Sequence, residues 1–128
     1  MLRILTVLLL AGPAYAQDLV EGERTFFVFC SSCHGEAGRG DGPMAKILTV
    51  PVPDLSMLRI NNDGTFPMTR VLRQVDGRDP ELAHSGVMPA FGMLLEDIPV
   101  PHQLPSGQTI MTEKGLLDVA LWLESIQE

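Results

Sequence analysis

Five consecutive residues constrain this chain more than anything else in it: Cys30-Ser31-Ser32-Cys33-His34. On a helix, residues three apart lie on one face, so Cys30 and Cys33 present two sulfurs side by side. Two such thiols reach the two vinyl groups along one porphyrin edge. The next residue, His34, then projects its imidazole toward the iron beneath the ring. C-x-x-C-H is the pattern of covalent haem attachment. Other uses of the cysteines fit less well. A thioredoxin-like redox pair needs a βαβ setting, and no run of this sequence shows sustained strand alternation. A zinc site needs about four suitably spaced ligands, and His84 and His102 have no second cysteine pair beside them. A structural disulfide is the default for two cysteines in an exported chain, and the histidine that follows them turns the reading to haem.

Export is read from the N-terminus. Arg3 supplies a positive start, 4–10 is apolar apart from Thr6, and Ala14-Tyr15-Ala16 is a small-x-small cleavage site. These predict a signal peptide over 1–16, cut after Ala16, and a periplasmic mature domain over 17–128. The apolar run falls short of the ~20 residues that span a bilayer, so a mature form that does not cross the membrane is expected. The formal net charge is −7, and losing Arg3 makes the mature chain −8. Nucleic acid is excluded as a partner, since phosphates need clustered Lys and Arg. The charge is uneven: 17–36 has one basic and four acidic residues, 91–128 has one and six, and 37–90 has six of each.

The rest of the chain reads as helices joined by long loops. Asp18 and Glu21 form a capping box for a helix over about 19–33. Gly22 inside it costs stability and implies that another backbone approaches there. The run 35–43 holds four glycines and is a loop. A short helical stretch over 44–48 follows, and Pro51-Val52-Pro53 breaks it. Asp54 caps a short helix through Leu58. Residues 61–64 are a turn, and 67–75 is a helix ended near Gly77. The segment 96–106, with Pro99, Pro101 and Pro105, is expected to be an irregular loop. Thr112 is the expected cap of an apolar terminal helix. The prediction is an all-α domain of three to five helices whose long loops wrap one covalent haem, since long loops need something to pack on.

The iron's second ligand is sought among the methionines. Met44 lies too near His34 in the chain to cross the ring easily. Met57, Met68 and Met111 read as packing residues. Met88 precedes Pro89, follows Gly86-Val87 and sits in an extended segment, where proline fixes the local backbone. Met88 is the leading candidate, with Met93 and His84 as rivals. A His34/Met88 pair would close both faces of the iron and raise its potential.

With these parts in order, the sequence resembles a class I c-type cytochrome. Gly22, Phe26 and Cys30, each four apart, resemble that family's first helix, and Val119 and Trp122 resemble the partner pair on its last helix. The segments Pro53-Asp54-Leu55-Ser56, Gly64-Thr65-Phe66-Pro67, Val75-Asp76-Gly77-Arg78 and Met88-Pro89-Ala90-Phe91-Gly92 are similar to small exported bacterial cytochromes related to the cytochrome c subunits of haem–copper oxidases. The resemblance implies Met88 as distal ligand. It also implies that the Pro43 carbonyl accepts a hydrogen bond from His34. A haem propionate calls for an arginine, with Arg78 first among Arg59, Arg70, Arg73 and Arg78. The segment 96–110 departs from the family by its length. The expected function is a monomeric electron carrier, not an enzyme, that meets redox-partner proteins. A haem sensor with a displaceable distal ligand and a relay subunit of a larger enzyme are the alternatives.

Overall fold

A computed structural model describes residues 19–79, 88–95 and 97–128. The expected signal peptide, the Asp18 cap, His84 and Gly86-Val87 lie outside them. Among the described residues the chain forms four α-helices and one β-hairpin. α1 runs Leu19–Phe29 and α2 runs Ser31–His34. The two nearly make the single predicted helix, interrupted at Cys30. The Cys30 N–H still bonds the Phe26 carbonyl (2.8 Å), and the His34 N–H bonds that of Cys30 (2.9 Å). The glycine loop follows. Single 3-10 turns then occupy Pro43–Lys46, Leu55–Met57 and Ile60–Asn62. Asp54 caps the second of them, as expected, by accepting from the Ser56 N–H at 2.9 Å. α3 is Met68–Asp76, closed by Gly77 in the left-handed conformation. α4 is Lys114–Ser125. No helix among the described residues is long and apolar enough to cross a membrane.

α1 and α4 cross at Gly22, as the glycine implied. A Cβ there would run into the Asp118 carbonyl, with its carbon 2.7 Å away, and would sit 3.0 Å from the Trp122 Cβ. The missing side chain lets the two backbones touch. One turn on, Phe26 stacks on Trp122 with ring centroids 4.5 Å apart. Phe26, Val119 and Ala120 are almost wholly buried. Each fully buried large apolar side chain contributes about 1.5–3 kcal/mol, so this crossing is the anchor of the fold. The carboxylate of buried Asp118 is paired with Lys114 (2.5 Å) at the start of α4.

The expectation of an irregular loop over 96–106 is corrected: Pro99–Gln103 forms a strand, β1, paired antiparallel in a hairpin with β2, Thr109–Glu113. The Lys114 N–H bonds the Ile98 carbonyl and the Leu104 N–H bonds the Gln108 carbonyl, both at 2.8 Å. Even-numbered residues of β1 therefore face the ladder. Pro99 and Pro101 fall on the outer edge, where a missing N–H costs nothing. Two prolines two apart were the signal: both sit on the same side of a strand. Gly107, at φ 85°, makes the turn. Thr112 consequently lies in β2 and not at a helix cap, and α4 begins without a side-chain cap. Met111, read as packing, is 65% exposed on this hairpin.

Candidate functional site

An apolar cleft of about 660 Å³ opens between α1–α2 on one side and α3 with the Met88 segment on the other. Cofactor pockets typically measure about 300–1,000 Å³. Cys30, Cys33 and His34 all line it, as does Met88. So do Leu48, Val52, Leu55, Leu58, Val71 and Val75 from the loops and α3. Its floor is the core itself, through Phe26, Val119 and Leu123.

The motif residues are placed by the helix. Cys30 is buried and Cys33 half-buried, and both are free thiols. Burial pushes the Cys30 thiol up to about 12, with Cys33 beside it adding to the shift. A reactive redox pair instead needs a lowered pKa. The buried, protonated thiol therefore counts against the thioredoxin-like alternative. His34 is buried, which holds its imidazole below the usual value. Its neutral form is the one that ligates metal.

The Met88 wall is assembled differently. Met88 follows the described end of the α3 region, and the chain beyond it is pinned to α3. The Phe91 N–H donates to the Val75 carbonyl and the Gly92 N–H to the Asp76 carbonyl, each at 3.1 Å. Gly77, at φ 65°, lets this segment come close: a Cβ there would lie 2.5 Å from the Ala90 Cα. Phe91 also meets Phe29 across the two walls, at 6.2 Å between centroids. Met88 packs against the core, whereas its rival Met93 is 76% exposed and does not line the cleft.

Two expected site residues do not line the cleft. Pro43 opens a 3-10 turn and does not line the cleft. The Pro53 backbone, beside the His34 ring, opposes the fall in its pKa. His34 Nδ1 is itself buried with no hydrogen-bond partner. Arg78 also lies away from the cleft. Its Nε bonds Asp76 (2.5 Å) and its terminal nitrogen bonds Glu113 (2.6 Å), so it ties the end of α3 to β2. These two carboxylates, Glu113 more than Asp76, raise its pKa further. Of the four arginines considered, Arg70 alone lines the cleft. Arg73 is paired with Asp79, and Arg59 stands 4.0 Å from Glu124.

Gln74 was missed by sequence reasoning. Its Nε2 lies 4.0 Å from the Met88 Sδ, within reach of a weak N–H···S bond. The signal was helical spacing: Arg70, Val71, Gln74 and Val75 share the face of α3 that looks into the cleft.

The residues fit a haem. Two thiols and an imidazole share one wall, a thioether stands on another segment, and the lining is apolar with Arg70 as its formally charged member at neutral pH. A buried ring nitrogen without a partner is a further polar group that a bound cofactor's environment would engage. Such a fold and cleft define a class: small helical proteins that carry haem c and pass electrons. The chain matches the Cytochrome c family over residues 19–127 and belongs to that family. It has the class I fold, with a hairpin added before the last helix. No curated protein matches it.

Proposed function

We propose that this chain is an exported, periplasmic electron shuttle. Its single haem is bonded to Cys30 and Cys33 and ligated by His34 and Met88. One observation carries the reading: the three motif residues and Met88 line one apolar cleft, while Met93 stands outside it. The haem supplies a one-electron ferric–ferrous couple. The chain's residues do the rest. The two sulfurs fix the ring edge, His34 and Met88 leave no iron position for a substrate, and the apolar lining excludes water. A thioether ligand and an apolar shell both favour the ferrous form and raise the potential. Cleavage after Ala16 would leave a mature chain beginning at Gln17, working as a monomer between a donor and an acceptor protein.

The test is optical. The purified mature protein should be low-spin in both states, with the weak methionine–iron band in the oxidised form. A five-coordinate, high-spin spectrum with rapid carbon monoxide binding would sink the shuttle reading and favour a sensor. The mass of the exported protein checks the cleavage site.

A further inference from the structure

The hairpin has two edges of opposite character. On β1 the outward residues include Pro99 and Pro101, which offer no N–H. On β2 the ladder is made by Ile110 and Thr112, which pair with His102 and Val100. Thr109 and Met111 therefore turn their N–H and carbonyl groups away from β1. No other backbone group bonds them among the described residues, and Met111 is 65% exposed. A groove of about 470 Å³ runs along this edge, and residues 110–113 all line it. Consecutive strand side chains point to opposite faces, so the groove follows the edge of β2 and not one of its faces. Its other wall is α3, through Thr69, Leu72, Arg73 and Asp76. At helical spacing these four lie opposite Arg70, Val71, Gln74 and Val75, which face the cleft. One helix thus separates two recesses.

We propose that this groove binds an extended, basic segment of a partner protein, which adds to the edge of β2 as a third strand. Strand addition uses the backbone donors and acceptors that such an edge already presents. The charge of the groove selects a base. Arg78 is held by Asp76 and Glu113, and Arg73 by Asp79. Two acceptors are left over. Asp97 lines the groove and makes no ion pair among the described residues. The second Glu113 oxygen is buried without a partner. A lysine or arginine of the incoming strand meets Asp97, and its apolar residues meet Leu72, Ile110 and Leu116. The recess selects a single strand over a second copy of this chain. The edge of a second folded copy is walled by its own α3, which stands between the two hairpins. Docking here is on the side of α3 away from the cleft, so it tethers the carrier and leaves the cleft free. Such a tether raises the effective concentration of carrier at its partner.

The probe is a capped peptide of alternating valine and lysine, added to the isotope-labelled mature holoprotein. Amide NMR should show the Thr109 and Met111 signals moving, and their hydrogen exchange slowing several-fold as a strand covers them. The same peptide, fully N-methylated, keeps its charge and loses its backbone donors, and should leave both amides alone. Equal effects of the two peptides, or a Met111 amide that is unmoved at millimolar peptide, overturn the proposal. Protection of Met111 that rises with protein concentration and needs no peptide gives the edge to a second copy, and overturns it too.

Two substitutions separate the edge from the charge. Met111→Pro removes an N–H that the hairpin ladder does not use, so the far-ultraviolet circular dichroism should stay. Peptide affinity should fall about ten-fold, since one ladder bond is lost and the ring meets the incoming backbone. Met111→Leu keeps the N–H and should bind as the parent does. Asp97→Asn leaves the backbone alone and stands as the test should Met111→Pro fail to fold. It should weaken the lysine peptide several-fold and leave a peptide with norleucine in place of lysine unchanged. A folded Met111→Pro that binds like the parent, or an Asp97→Asn that weakens both peptides equally, places the peptide elsewhere and overturns the groove.

Discussion

The wall of the cleft that carries His34 is one unbroken stretch of chain, whereas the wall that carries Met88 is a segment tied to α3 from outside. On the first wall, helix geometry alone sets the spacing of Cys30, Cys33 and His34. Its place in the molecule then depends on one crossing, Gly22 against Asp118. On the second wall, Met88 is aimed by two backbone hydrogen bonds, by Gly77 and by the contact of Phe91 with Phe29. Covalent chemistry belongs to the wall that local structure makes rigid. The iron ligand we propose, Met88, belongs to the wall that tertiary contacts hold, and that wall is the easier of the two to perturb.

The largest expected effect is on the first wall. Replacing both Cys30 and Cys33 with Ser should abolish covalent attachment. Haem would then extract into acidified organic solvent, and a pigment that stays on the protein would refute the attachment sites. On the second wall, Met88→Ala should keep the haem but remove the methionine–iron band. The potential should fall by a few tenths of a volt, part of the roughly 0.8 V that axial ligands span. If Met93→Ala does this and Met88→Ala does not, the ligand is misassigned.

The glycines separate the walls by how they fail. Gly22→Ala forces apart the α1–α4 crossing and should cost about 3 kcal/mol of unfolding free energy, as overpacking does. The methionine band and the main haem absorption should then disappear together in denaturant. Gly77→Ala strains a positive φ and presses on Ala90, for about 2–3 kcal/mol. Here the methionine band should go first. Simultaneous loss in both variants would mean that the walls are a single cooperative unit.

Smaller effects follow. Gln74→Leu removes an N–H directed at the Met88 sulfur, whose positive end would favour the ferrous state if that sulfur ligates the iron. The equilibrium ratio of reduced to oxidised protein should fall several-fold, where ten-fold corresponds to about 59 mV for one electron. An unchanged potential would show that the 4.0 Å approach carries no weight. Smallest of all, Arg78→Ala should cost under about 1 kcal/mol, since its ion pairs are solvent-exposed and screened. It should leave potential and spectrum alone. A shifted potential would return Arg78 to the haem and refute its separation from the cleft.

Legibility followed the range of the interactions. The C-x-x-C-H face, the Asp54 cap, the end of α3 at Gly77 and the close approach at Gly22 were readable because each rests on a few neighbouring residues. The hairpin was not. Its prolines looked like strand breakers until the pairing register put both on the unbonded edge. Arg78 was placed first because an arginine suits any carboxylate, and nothing in a sequence says that Asp76 and Glu113 pair with it. Gln74 was overlooked because its meaning depends on Met88, fourteen residues away.

By itself, then, the amino-acid sequence determined the attachment motif, the helical class and a short list of ligand methionines, because periodicity and spacing act over one or two helical turns. Only the tertiary structure decided which methionine shares the cleft with Cys30, Cys33 and His34, and which of the four arginines considered borders it. Those depend on segments distant in the chain meeting across a packed core.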